Sequence, residues 1–247
     1  MYKRAKYLPA GDKGLVVEFG NTIARDINYK VRSFALAIDS ADIPGIVEYI
    51  PSYRSLLILY EPLIWNVDQL VDQLQELEND LALMDFPNPK VYYLPVAYGG
   101  DLGPDLNFLS EYAGLTREDV VRIHTGVEYL IYMLGFTPGF PYLGGMDGQI
   151  AAPRLDTPRG KIPAGSVGIA GSQTGIYPVE SPGGWRLIGR TPVKLFNPRE
   201  EKPVLLNAGD YVRFYEITWE EYCRIAEEVK KGEFRVETGR RTIGEGF

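Results

Sequence analysis

Residues 135–145 read Gly135-Phe136-Thr137-Pro138-Gly139-Phe140-Pro141-Tyr142-Leu143-Gly144-Gly145, a text through which no regular helix runs. Each proline removes a backbone donor, and each glycine adds conformational freedom that a helix must freeze. The same grammar continues to Arg190: these 56 residues hold 13 of the 27 glycines and 7 of the 18 prolines of the chain. Strand-like apolar runs lie around and between the turns, at Tyr129 to Leu134, Val167 to Ala170, Trp185 to Gly189, Val193 to Leu195 and Tyr211 to Tyr215. Short strands separated by Gly/Pro turns predict a β-barrel or a sandwich. Downstream, Thr218 boxed by Glu221 opens a last helix, predicted to bury Trp219, Tyr222, Cys223 and Ala226 before Gly232 stops it.

Upstream of the turn-rich stretch, Val91 to Val96 reads as an opening strand. It leads through Gly99 and Gly100 to a short helix at Asp105 to Tyr112 and to a second one capped by Thr116, which ends near His124 to Gly126. Before that, Asp85-Phe86-Pro87-Asn88-Pro89 reads as a junction, because each proline biases its predecessor to extended geometry. The part ahead of the junction has a different texture. Val16 and Phe19 belong to a first strand, and Ile23, Ile27, Val31, Phe34 and Ile38 fall on one face of a helix. Ile46 to Ile50 and Ser55 to Tyr60 form a hairpin-length pair, and Asn66 caps a helix with the stripe Val67, Leu70, Val71, Leu74, Leu77 and Leu81. The expectation is an α+β chain: a small two-layer domain at 1–88 and a β-rich domain at 89–247.

Composition narrows the function. The chain has 247 residues, 45% apolar and 24% charged, with a formal net charge of -7, which argues against extended disorder and generic nucleic-acid binding. No stretch approaches the roughly 20 apolar residues of a membrane span, and no leader-like run follows Met1. Cys223 is the single cysteine, so an internal disulfide and thiol redox chemistry drop out and a reducing, cytoplasmic setting is expected.

The candidate chemistry sits in the turn-rich stretch. Between Arg154 and Arg190, five basic residues (Arg154, Arg159, Lys161, Arg186 and Arg190) face only Asp156 and Glu180, so an anion is expected there. Backbone N–H groups at Gly183 and Gly184 would add donors, and the glycine density suggests that something approaches this backbone closely. The plainer alternatives are tight turns in a β-rich fold and ordinary solvated arginines. His124, the sole histidine, is a candidate proton shuttle near neutral pH or a helix-end residue favoured by the dipole. Gln173 is a candidate for an amide ligand or for completing a turn. Phe136, Phe140, Tyr142, Tyr177 and Trp185 are candidates for a pocket wall, with core packing as the alternative. Walker A, His-Glu-x-x-His, Gly-x-Ser-x-Gly and Rossmann patterns are absent, which argues against a self-sufficient enzyme of those classes.

The 135–145 run, Pro153-Arg154-Leu155-Asp156-Thr157-Pro158-Arg159, Ile162 to Val167, Gly175 to Pro178, Ser181 to Trp185 and Ile188 to Pro192 occur in the order of a known family. Together they resemble the B subunit of 5-oxoprolinase, also called allophanate hydrolase subunit 1, a family that includes a sporulation kinase inhibitor. The resemblance spans about Leu8 to Arg235. It implies a small N-terminal α/β domain followed by a cyclophilin-like β-barrel, without prolyl isomerase activity. It also implies partners, a directly bound C subunit of related barrel type and a separate A subunit. The assembly cleaves 5-oxoproline to glutamate at the expense of ATP, with Mg as the expected companion ion and no resident metal. On that resemblance Arg154, Arg159, Lys161, Ser166, Gly183, Gly184 and Arg190 are assigned to substrate or phosphate, and His124 and Gln173 to the lactam or its proton. Two alternatives stay open: inhibition of a sensor histidine kinase, and a carboxyltransferase role related to urea carboxylase.

Overall fold

The structure is a computed structural model that describes residues 1–81 and 88–241. The chain divides into two compact units, Met1–Pro87 and Asn88–Phe247. Of the predicted junction, Asp85, Phe86 and Pro87 lie outside the described residues. Among the described residues no helix is long and apolar enough to cross a membrane.

The first unit contains β1 (Lys6–Pro9), β2 (Gly14–Glu18), α1 (Arg25–Ala41), β3 (Ile46–Pro51), β4 (Ser55–Tyr60) and α2 (Val67–Asp80). The strands form one antiparallel sheet in the order β1-β2-β4-β3. Leu15, Val17, Leu56 and Ile58 alternate onto the face that meets Ile27, Val31, Phe34, Leu70 and Leu74 from the two helices. Removing one Leu, Ile or Phe side chain from water contributes ~1.5–3 kcal/mol, so the two layers hold each other. Asn66 caps α2 as predicted, its side chain accepting from the Gln69 N–H at 2.9 Å. α1 starts later than its stripe suggested: Arg25 is its first residue, and Ile23 is left 58% exposed ahead of it.

The second unit begins with β5 (Lys90–Tyr98), then α3 (Leu106–Ala113), α4 (Arg117–Thr125), β6 (Tyr129–Leu134), β7 (Pro141–Gly144), β8 (Arg159–Ile162), β9 (Ser166–Ala170), β10 (Gln173–Ile176), β11 (Ser181–Gly183) and β12 (Arg186–Arg190). β13 (Tyr211–Glu216), α5 (Trp219–Lys231) and β14 (Thr238–Arg240) complete it. Seven strands run in the order β12-β9-β10-β7-β6-β13-β5, and the pairing of β12 with β5 closes them into a barrel. Closure leaves no open edge among these strands, which is how a sheet of short strands avoids exposing unpaired backbone. β13 pairs with β5 in parallel, and β14 extends β5 at its other edge. Tyr93 N–H donates to Glu237 O on that edge. Two residues on, Pro95 falls between the β14 pairing at 90–92 and the β12 pairing at 97–98, where its missing N–H leaves no ladder bond unmade.

Val167, Ile169, Ile176, Ile188, Leu94, Val96, Val212 and Phe214 fill the barrel interior together with Leu106, Leu109, Val120 and Val121 from α3 and α4. β8 and β11 pair only with each other and form a two-stranded strap. Two expectations fail in this unit. Val193 to Leu195 is not a strand, and the backbone there makes only an isolated bridge, Phe196 to Val204. α5 buries Ile225, with Tyr222 and Val229 half-buried, against Ala97 and Ile217, while Trp219 is 58% exposed and Cys223 is exposed. Both stripes on α5 have helical spacing. The one carrying isoleucine and valine offers more purely apolar surface and wins the core, and Trp219 stacks flat on Tyr222 instead.

Candidate functional site

Side chains alternate across a strand, and Val167 and Ile169 of β9 point into the barrel. Ser166, Gly168 and Ala170 therefore look outward, and the outer face of β9, β10 and β12 carries a second, smaller core. Phe140 is its centre, with ring centroids 5.3 Å from Tyr142, 5.5 Å from Tyr177 and 5.6 Å from Trp185, all edge-on. Phe136 meets Phe140 at 5.7 Å from the loop between β6 and β7, where it holds a left-handed φ of 63° and stays 66% exposed. All five aromatics predicted for a pocket wall thus converge. Phe140, Tyr177 and Trp185 are buried, so they serve as packing, while Phe136 and the half-buried Tyr142 remain at the rim.

The glycines explain how those rings sit so close to the barrel wall. A Cβ at Gly175 would lie 2.9 Å from Trp185 Cζ3 and 3.1 Å from Phe140 Cζ, and one at Gly183 would collide with the Tyr177 hydroxyl. What approaches this backbone is the protein's own aromatic cluster, which corrects the expectation that glycine density marks ligand approach. Gly184 lies beside Leu155 and Pro158, and its carbonyl accepts from Leu155 N–H at 2.7 Å.

Several of the basic residues have partners within the chain. Arg159 donates to Asp105 Oδ1 at 2.9 Å and to Trp185 O at 3.3 Å, while Asp105 Oδ2 accepts the Leu187 N–H at 2.6 Å. That carboxylate, missed in the sequence because Asp105 reads only as the start of a short helix, ties the strap to β12 and the start of α3. Lys161 pairs with Glu180 at 3.1 Å, both exposed. Arg186 lies 3.7 Å over the Phe108 ring and donates to Pro153 O at 3.3 Å. Arg154 is exposed, and its charge acts with that of Arg159 on the Tyr177 hydroxyl. Burial pushes that phenol up, while a backbone hydrogen bond from Trp185 and the two guanidinium groups pull it down. Arg190 is half-buried, with its Nε sealed from solvent and without a hydrogen-bond partner, and the Oγ atoms of Ser166 and Ser181 share that condition.

His124 is a correction. It is fully buried at the end of α4, with Nδ1 2.8 Å from the Tyr98 hydroxyl and Nε2 2.9 Å from Thr174 Oγ1. Thr174 donates its single proton to Gly168 O at 3.2 Å, so it accepts from His124 Nε2–H, and Nδ1 accepts from Tyr98. Phe214 stacks on the ring at 4.6 Å. Burial lowers the imidazole to about 3, so it stays neutral near pH 7 and does not shuttle protons there. Gln173 lies next to the bridge between Ala152 and Gly171, opposite Ala170 of the aromatic cluster. It is half-buried at the β9–β10 hairpin, four residues or ~13 Å along the chain from Tyr177. The predicted site residues therefore separate into a strap group (Arg154, Arg159, Lys161, Gly183 and Gly184) with the aromatic cluster beside it (Phe136, Phe140, Tyr142, Tyr177 and Trp185), an adjoining pair (Ser166 and Arg190), an interior histidine and a glutamine at the β9–β10 hairpin.

The class is shown by a family match: the family described as "Carboxyltransferase domain, subdomain C and D" matches residues 5–206. Kluyveromyces lactis urea amidolyase has the same fold, with a TM-score of 0.77 at 25% identity over 96% of this chain and 16% of that one. The B subunit of 5-oxoprolinase from Bacillus subtilis (strain 168) is 43% identical over 232 residues, 88% of this chain and 95% of that protein. The Escherichia coli O157:H7 protein of the same name is 40% identical over 213 residues, 86% and 96% of the two chains. The chain belongs to the family of 5-oxoprolinase B subunits.

Proposed function

We propose that this chain is the B subunit of an ATP-dependent 5-oxoprolinase, which opens 5-oxo-L-proline to L-glutamate with hydrolysis of ATP and does so only with its partner subunits. The 43% identity to the Bacillus subtilis protein, over 95% of its length, carries the reading. An unstrained lactam resists water because its amide is resonance-stabilised. Phosphorylation of the amide oxygen makes the carbon electrophilic, and ATP with Mg supplies that activation when the complex is assembled. Stabilising the charge that develops is the protein's share of such a step. On this chain that share falls to Arg154, which is exposed, because Arg159, Lys161 and Arg186 have partners to give up first. The C subunit, in direct contact, and a separate A subunit make up the rest of the cytoplasmic enzyme. The test is to mix the purified chain with its A and C subunits. The expected result is ATP hydrolysis that depends on 5-oxoproline and yields glutamate, with none from the chain alone. A reconstituted mixture without 5-oxoproline-dependent hydrolysis overturns the reading.

One observation favours a second reading. The family description names a carboxyltransferase, and the urea amidolyase likeness covers 96% of this chain. Under that reading the chain transfers a carboxyl group to an amide nitrogen, and carboxylation of urea from carboxybiotin is the assay that separates the two.

A further inference from the structure

Arg190 and Ser166 stand directly opposite each other in the β12–β9 ladder, and Tyr177, the residue just past β10, donates its N–H to Ser166 O at 2.9 Å. Opposite residues of an antiparallel pair share a face with their Cβ atoms ~5 Å apart. Arg190, Ser166 and Tyr177 therefore form a row across the outer wall of the barrel, and the small serine leaves a notch between two long side chains. The strap closes over this wall. Ile162 of β8 packs into the aromatic cluster with Tyr177, and Gly183 of β11 abuts the Tyr177 hydroxyl. Ser181, opposite Ile162, is only 9% exposed, and Ser166 is 0% exposed.

Under this cover Ser166 Oγ, Ser181 Oγ and Arg190 Nε have neither solvent nor a hydrogen-bond partner. Buried polar atoms are nearly always paired, and leaving one unpaired costs free energy. Neighbouring polar groups follow that rule: Arg159 has Asp105, Lys161 has Glu180, and the backbone of the 163–166 turn is bonded to Tyr177 and Thr191. Three of the orphaned atoms among the described residues thus belong to this row and the strap over it, besides Asn28 Oδ1 and Thr137 Oγ1.

We infer that this notch is a strap-covered subsite for the carboxylate of a small monoanionic ligand. Two coplanar oxygens match the edge of a guanidinium, Nε–H and one Nη–H, and the Ser166 hydroxyl is a third donor to the same group. One negative charge balances the one positive charge of Arg190, whereas a phosphate or polyphosphate would bring uncompensated charge into a sealed place. Ligand entry lifts the strap, which Arg159 tethers through Asp105. This deepens and rests on the 5-oxoprolinase reading in one respect: it assigns the notch to the carboxylate of 5-oxoproline and not to ATP.

The test measures binding to the full chain by calorimetry with 5-oxoproline, its carboxylate-free analogue 2-pyrrolidinone, acetate and inorganic phosphate, alongside Ser166→Ala and Arg190→Gln. The expected result is binding of 5-oxoproline, at least tenfold weaker binding of 2-pyrrolidinone, and no competition by phosphate. Both substitutions weaken 5-oxoproline at least fivefold, and Ser166→Ala does so with an unchanged or raised melting temperature, since it removes an unpaired hydroxyl. If Arg190→Gln fails to fold, Ser166→Ala carries the test. Wild-type affinity or a wild-type KM for 5-oxoproline in Ser166→Ala, or displacement by phosphate, overturns the subsite while leaving the 5-oxoprolinase reading intact. Binding of acetate that needs Ser166, with no binding of 5-oxoproline, overturns the assignment of the notch to 5-oxoproline, and reconstitution with the A and C subunits tests the 5-oxoprolinase reading separately.

Discussion

His124 closes α4 with its ring held between Tyr98 and Thr174, and this placement governs how the barrel responds to acid. Its folded-state value lies near 3 against 6.5 for an exposed histidine, so between those limits the unfolded chain binds a proton that the native one refuses. The contribution is complete above pH 6.5 and is lost as pH falls toward 3, at up to ~1.4 kcal/mol per pH unit. Chemical denaturation between pH 7 and 4 should show that slope, and His124→Asn should flatten it; identical slopes would mean that the imidazole is not what titrates. Gly175 makes a separate prediction. Gly175→Ala would press on Trp185 and Phe140 and should destabilise the chain by ~1–3 kcal/mol, read from the denaturation midpoint, because neither buried ring has room to retreat. Sequence alone found the aromatics and the glycines but not their relation. Phe140, Tyr177 and Trp185 are spread over 46 residues, and only strand register brings them onto one face.

Among the elements, those with a local chemical signal were legible. The caps at Asn66, Thr116 and Thr218 form as their spacing predicts, and the Thr218–Glu221 capping box is complete. Thr218→Ala should cost ~1 kcal/mol, seen as a lower thermal midpoint with the barrel strands intact by circular dichroism. No change would mean that α5 is held by Ile225 and its neighbours alone. Elements without such a signal were missed. β7, β8, β10 and β11 have three or four residues each, too few for an alternating pattern, and they exist because the barrel or the strap supplies their hydrogen-bond partners. The parallel pairing of β13 with β5 joins segments about 120 residues apart, a link no local pattern records. Arg159 shows the same limit from the side of charge. As text it is one more cation in a basic stretch, and only the fold reveals Asp105 against it.

At the scale of the whole molecule, the turn-rich grammar after residue 128 marked a β-rich unit without deciding between barrel and sandwich. The decision lies in the single pairing of β12 with β5. The functional reading likewise rests on more than composition: long motifs in a fixed order, a carboxyltransferase-type barrel, and a relative at 43% identity across 95% of its length. Its central claim is that this polypeptide is a necessary part of a multisubunit 5-oxoprolinase and is inert by itself. The most direct measurement titrates the chain into fixed amounts of the A and C subunits and follows glutamate formed from 5-oxoproline. The account predicts no glutamate without the chain, a rise to saturation at a fixed ratio, and equal amounts of glutamate formed and ATP consumed. Glutamate production by those two partners that is indifferent to this chain would contradict it.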